Sequence, residues 1–141
     1  MDPSDLPAVV EPVTSGRADY VKGNRFHAPG SAAGMPLSRR AGGRVLSWAT
    51  ARAIGRPISD SQCGFTALSR AACEALDLAA LWPRYGYPND LLSQVARRGM
   101  RIVEVPVRTV YADEVSRLRA RHVPVVAGLV ARAWLRRRTG L

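Results

Sequence analysis

Apolar positions along the chain switch between helical and strand periods, and the switches predict an alternating order of elements. Ser4 can cap a short helix from Asp5, with Pro7 tolerated in its first turn, Pro12 kinking or ending it, and Gly16 closing it. Ala18 to Gly23 reads as a strand centred on Tyr20 and Val21, and residues 26–35, carrying Pro29, Gly30 and Gly34, read as a loop. Pro36 opens a long helix to about Ile54. Leu37, Ala41, Val45, Trp48 and Ala49 recur at helical spacing and predict its buried stripe, and Gly55 and Pro57 end it.

Gly64 to Ser69 predicts a short strand, followed by a helix from Ala71 to about Leu76 and a loop from Leu78 to Tyr87. Pro88 or Asn89 starts another helix, which runs through Arg98 and stops at Gly99. Met100 to Tyr111 is the clearest strand, with Ile102, Val103, Val105, Val107 and Val110 nearly continuous. A basic segment, Arg117 to Arg121, precedes a helix from about Pro124 to Arg138 with Val126, Leu129, Val130 and Trp134 on one face. Arg132, Arg136, Arg137 and Arg138 load its C-terminal end, as the helix dipole favours. No internal repeat interrupts the pattern. Alternating helices and strands predict an α/β layered fold, with too few strands for a sheet covered on both faces without absent neighbours.

Composition adds a strong charge bias. The 141 residues carry 21 Lys and Arg against 11 Asp and Glu, a net charge of +10, and Lys22 is the sole lysine. Such a surplus favours anionic partners, and arginine suits bidentate phosphate contacts. A GC-rich coding sequence would inflate arginine as well. Cys63 and Cys73 lack the spacing of a zinc site and read as reduced core thiols. Met1-Asp2-Pro3 does not open a signal peptide, and the longest uncharged apolar run, Val123 to Ala131, is too short to span a bilayer.

Three constellations could carry chemistry. Arg39 and Arg40 fall in the opening turns of the long helix, where cations oppose the dipole unless an anion binds the same end. Arg25, at the end of the preceding strand, could join them. The plainer reading is a solvated basic face. Asp60, in a loop before a short strand, could orient or deprotonate a nucleophile, or it could simply bond its own backbone in a turn. Asn89 or Asp90 in Tyr85-Gly86-Tyr87-Pro88-Asn89-Asp90 could cap a helix. His27 and His122 read as ordinary loop or surface residues, and Cys63 lacks the context of a nucleophile.

In order along the chain stand Asp2-Pro3, Gly23-Asn24-Arg25-Phe26, Arg39-Arg40, Asp60-Ser61-Gln62-Cys63-Gly64-Phe65, Tyr85-Gly86-Tyr87-Pro88-Asn89-Asp90 and Val103-Glu104-Val105-Pro106. This series resembles the C-terminal part of family 2 glycosyltransferases of the dolichyl-phosphate mannosyltransferase type. Asn24 stands where the family usually has Ser. The resemblance implies the C-terminal portion of a GT-A, nucleotide-diphospho-sugar transferase fold over residues 1–118, with the N-terminal nucleotide-binding half absent. A basic amphipathic helix over 119–141 would follow.

It implies transfer of a sugar from a nucleotide sugar to a lipid-linked polyprenyl phosphate. Asp60 would sit at the acceptor, and Arg25, Arg39, Arg40 and Gln62 would contact phosphates. The family's Mg or Mn would be held by residues outside this chain, and Asp2 is not taken as a ligand. A separate chain could supply the missing half. Alone, the chain is expected to fold poorly and to be inactive, with unpaired sheet edges. The expected location is cytoplasmic, peripheral at the inner face of the membrane. From another class comes a small basic module binding an anionic membrane or nucleic acid, although no nucleic-acid-reading motif is present, so nucleic acid is not expected as a partner.

Overall fold

A computed structural model describes residues 2–27, 35–109 and 123–139. Residues 28–34 of the anticipated loop over 26–35, the strand end at Val110 and Tyr111, the basic segment Arg117–Arg121, His122 and the boundary at 118/119 lie outside those residues.

Strand β1 (Tyr20–Asn24) is buried along its whole length. It is the centre of a mixed three-stranded sheet of order β2-β1-β3. Strand β2 (Thr66–Leu68) runs antiparallel to it, with Tyr20 opposite Leu68 and Lys22 opposite Thr66. Strand β3 (Ile102–Pro106) runs parallel, with Tyr20 opposite Ile102 and Lys22 opposite Glu104. The anticipated three strands are therefore present, and β3 is shorter than its apolar run. The ladder ends where Pro106 meets Asn24 and Val107 N–H donates to the Asn24 carbonyl at 3.0 Å.

Successive side chains on a strand face opposite ways. Val21 shares a cluster with Val9, Ala18, Cys63 and Val107, so one sheet face is covered by helix α1 (Leu6–Thr14). Tyr20 packs instead with Ile54, Ile58, Leu91, Leu92, Val95 and Ala133. These residues bring helices α2 (Leu37–Ile54), α4 (Tyr87–Arg97) and α5 (Val123–Thr139) onto the other face. Helix α3 (Arg70–Ala75) is capped by Ser69 Oγ, which accepts from Ala72 N–H at 3.1 Å.

Several local expectations change. The first turn is a 3-10 helix over Pro3–Asp5, and Asp2 rather than Ser4 caps it by accepting from Ser4 N–H. Arg108 ties that turn down through Asp5 and Ser4. Pro12 does not end α1. It is buried within it, and the helix continues to Thr14. Gly16, Gly55 and Gly99 adopt positive φ after α1, α2 and α4, as helix stops do. Cys63 is a core thiol, but Cys73 is exposed.

The largest correction concerns α2. Its buried positions are Ser47, Thr50, Ala53 and Ile54, whereas Leu37, Val45 and Trp48 face outward. Polar residues can take the inner face because each finds a partner there, a condition that hydrophobic periodicity does not register. On α5, Val126 and Leu129 are buried as anticipated, but Ala133 takes the next inner position and Trp134 is exposed.

Gly23 is the residue the sheet cannot replace. A Cβ there would lie 2.8 Å from the Phe65 carbonyl oxygen and 3.0 Å from Cys63 Sγ, because Gly23 N–H itself donates to that carbonyl at 2.8 Å. Gly23→Ala is expected to destabilise the fold by about 1–3 kcal/mol, the usual range for overpacking. Chemical denaturation reads this directly, and an unchanged midpoint would show that β1 and the segment before β2 separate freely.

Candidate functional site

Between α2 and β2 the chain crosses the carboxyl end of β1 as the loop Ser59–Cys63, and five side chains pin it. The Glu104 carboxylate of β3 accepts from Ser59 N–H and Asp60 N–H at 3.0 Å and from Ser59 Oγ at 2.6 Å. Asn24 Nδ2 donates to Ser59 Oγ at 2.8 Å, while Asn24 Oδ1 accepts from Phe26 N–H at 2.8 Å. Ser47 Oγ on α2 accepts from Ser61 N–H at 2.9 Å. Lys22 Nζ donates to the Cys63 carbonyl. Asn24, Lys22 and Glu104 are placed by register alone, since they occupy the same sheet face on adjacent strands.

The fifth contact is the centre of the site. Asp60 is fully buried, and its carboxylate is gripped by Arg25, whose side chain is 12% exposed. Arg25 N–H and Nε donate to Asp60 Oδ2 at 3.0 and 2.8 Å, and Nη2 donates to Oδ1 at 2.8 Å. Oδ1 also accepts from Gln62 N–H at 3.3 Å. Burial pushes the Asp60 carboxyl upward, but the Arg25 hydrogen bonds and charge outweigh it and hold the group below the usual carboxylate range. An ionised carboxylate with both oxygens engaged orients a guanidinium and is a poor proton acceptor. The turn-forming bond expected of Asp60 is present, from Gln62 N–H, and its other bonds reach back to Arg25 on the preceding strand end.

Lys22 lies beside this pair with no exposed surface. Its burial lowers the ammonium to about 8, against attraction from Asp60 and Glu104. Lys22, Arg25, Asp60 and Glu104 form two cations against two anions, so the buried cluster balances its own charge. Burial also raises the Cys63 thiol, which keeps it protonated and inert at neutral pH.

The remaining anticipated residues are distributed unevenly. Arg39 is exposed in the first turn of α2, and Arg40 is half-buried with Nε lacking a partner. Among the described residues no hydrogen bond or ion pair joins either to Asp60. Arg44, which sequence reasoning passed over, shares an aromatic neighbour with Arg25: both guanidinium groups lie over the Phe26 ring, Arg25 at 6.0 Å and Arg44 at 5.7 Å from its centroid. Gln62 turns its side chain toward α4, donating to Asn89 Oδ1 at 3.1 Å and to Ser61 Oγ at 3.0 Å.

Asn89 and Asp90 do not cap α4. They are buried in its first turn, where Asn89 Oδ1 also accepts from Thr50 Oγ1, and Asp90 accepts from Trp82 N–H at 2.9 Å and Arg132 Nη2 at 2.6 Å. The parts missed in the sequence were Lys22, Glu104, Ser59 and Arg44. The available signal was a charged residue inside each of two apolar strands.

No group of three His, Cys, Asp or Glu among the described residues could hold a metal ion. Asp60, Asp90 and Glu104 are each occupied by arginine or loop donors, so these carboxylates do not fit a divalent cation. The site holds a guanidinium in a fixed orientation at the carboxyl end of a strand.

Comparison with known proteins agrees in chemical class. The chain is 31% identical over 111 residues to the UDP-N-acetylglucosamine–dolichyl-phosphate N-acetylglucosaminyltransferase of Methanococcus voltae, covering 79% of this chain and 44% of that protein. It is 34% identical over 110 residues to the undecaprenyl-phosphate mannosyltransferase of Micrococcus luteus, covering 74% of this chain and 43% of the relative. A glycosyltransferase of Haloferax volcanii, AglD, is 32% identical over 106 residues, 75% of this chain and 17% of that longer protein. The homologues are thus named glycosyltransferases, and the chain spans less than half the length of each of these three. No family model matches the chain, and no solved structure is a significant match.

The buried lysine yields a pH test. In the unfolded chain Lys22 titrates near its ordinary 10.5, and in the fold at about 8. Below pH 8 both states hold the proton. Between about 8 and 10.5 the unfolded state alone keeps it, so this group makes stability rise with pH across that window and level off above it. Lys22→Met removes the group at similar size. The stability of the wild type relative to Lys22→Met is expected to grow between pH 7.5 and pH 10 in denaturant titrations, and a constant difference would show that Lys22 does not titrate there.

Proposed function

We propose that this chain forms the acceptor-side part of a glycosyltransferase domain of the GT-A type, moving a sugar from a nucleotide donor to a polyprenyl phosphate. The observation that carries the reading is the Arg25–Asp60 pair, a guanidinium locked in a bidentate geometry at the carboxyl end of the central strand. The names of the relatives support the same chemistry, two of them on polyprenyl phosphates.

A phosphate acceptor is already anionic near neutral pH, so its oxygen needs placement more than deprotonation. In the proposed reaction that oxygen forms a bond to the anomeric carbon as the bond to the nucleoside diphosphate breaks. The diphosphate leaves with the electron pair, and no proton changes hands. Arg25 would meet phosphate charge from a fixed position, with Arg39 and Arg40 contributing from the first turn of α2 and its exposed N–H groups. Asp60 acts through Arg25 as a positioning residue. Rate then comes from alignment and charge stabilisation. An acceptor carried in a bilayer would keep the protein peripheral at the inner membrane face; no helix among the described residues is long and apolar enough to cross one.

Exchanging residues 2–109 for the matching segment of the Micrococcus luteus transferase tests this reading. The chimera is expected to retain transfer to undecaprenyl phosphate, and a folded but inactive chimera would remove the proposed role. In the active chimera Asp60→Asn is expected to lower turnover at least tenfold, about 1.4 kcal/mol. Arg25→Lys is expected to do the same by losing the bidentate geometry while keeping the charge. Turnover unchanged in both variants, with their folding checked by denaturation, would take the pair out of the site.

A further inference from the structure

We propose that the outward face of α2, continued by the exposed end of α5, docks on the anionic headgroup layer of a bilayer. On α2, Leu37 is 81% exposed, Val45 66% and Trp48 62%, one helical face turned away from the core. Beside it on α5, Trp134 is 39% and Leu135 55% exposed. The two helices are joined at this end: Arg137 Nη1 donates to the Arg52 carbonyl at 2.9 Å, and its side chain covers Gly55 so closely that a Cβ there would collide with it.

Arginines stand among these apolar groups. Arg52 lies over the Trp48 ring at 5.5 Å and Arg138 over Trp134 at 4.0 Å. An indole paired with a guanidinium suits the boundary between acyl chains and headgroups, where one side is apolar and the other charged.

Charge selects the occupant. Neither α2 nor α5 contains an acidic residue, while each carries four arginines. Two copies of such a face would bring cations against cations, which opposes self-association. Anionic lipid supplies the complementary charge, and Leu37, Val45 and Trp48 supply apolar surface that a nucleic-acid backbone would not use. The inference rests on the reading that the acceptor is membrane-resident, but vesicles containing no polyprenyl phosphate test the docking face apart from the chemistry.

The full chain is mixed with phosphatidylcholine vesicles, with or without phosphatidylglycerol, and followed by co-flotation and by quenching of tryptophan fluorescence with brominated lipid. Binding and quenching are expected only with the anionic vesicles, weakening as salt is raised. The Val45→Ser/Trp48→Ser variant is expected to bind at least tenfold more weakly, since it loses two of the five exposed apolar side chains of the face, one of them an indole. It should keep the wild-type denaturation midpoint, because both side chains are solvent-facing. Quenching in the wild type needs no variant, so it stands if the double variant is unstable.

Equal binding by the variant, no binding to either vesicle, a dimer in sedimentation that the variant dissociates, or preferential salt-sensitive binding to a DNA oligonucleotide would each overturn the proposal. If the chimera still transfers sugar while vesicle binding fails, only the docking face is lost. A folded, inactive chimera beside intact vesicle binding would remove the enzymatic reading alone.

Discussion

Burying charge without leaving it uncompensated is the constraint on which this structure depends. Lys22, Arg25 and Glu104 hold the Ser59–Cys63 loop in place around one buried strand, and the loop itself supplies the fourth charge, Asp60. Removing one partner from such a group costs roughly 3–5 kcal/mol, because the charge left behind stays desolvated. Replacing a buried ion group by well-packed hydrophobic residues of similar volume is often neutral or stabilising. Stability alone therefore does not account for four charges at this place.

Helix α2 is shaped by that polar interior. Its inner face must satisfy Ser61, through Ser47, and the buried first turn of α4, through Thr50 and Asn89, so it carries hydroxyls where a core helix would carry leucine. With polar groups committed inward, the larger apolar residues are left on the outside. The inversion is thus a consequence of placing a hydrogen-bonded loop beneath a helix, and it joins the site to the outer surface within one element.

This inversion marks where sequence reading stopped. Element positions were legible because their signals are local: Gly55 and Gly99 end helices by their backbone conformation, and Tyr20 and Val21 begin a run that can only be buried. Arg25 and Asp60 were both visible as candidates. Their pairing was not, since it depends on a parallel register between β1 and β3 and a loop returning 35 residues later. Lys22 was hidden for the opposite reason. It was counted as one cation among many, although a lysine between Val21 and Gly23 in a buried strand faces a glutamate only after the sheet is assembled. Periodicity records apolarity and is silent about partners, which is why it misassigned the faces of α2 and overlooked Glu104 between two valines.

The form of the Arg25–Asp60 contact narrows the chemistry further. A carboxylate meant to accept a proton needs an open lone pair and a value raised toward neutrality, and burial alone would have provided the second. Here the guanidinium reverses that effect and fills both oxygens. The arrangement gives up base strength for a fixed orientation of the guanidinium. Phe26 extends the logic outward, since both Arg25 and Arg44 lie over its ring, whose edge packs toward Gly43 on α2.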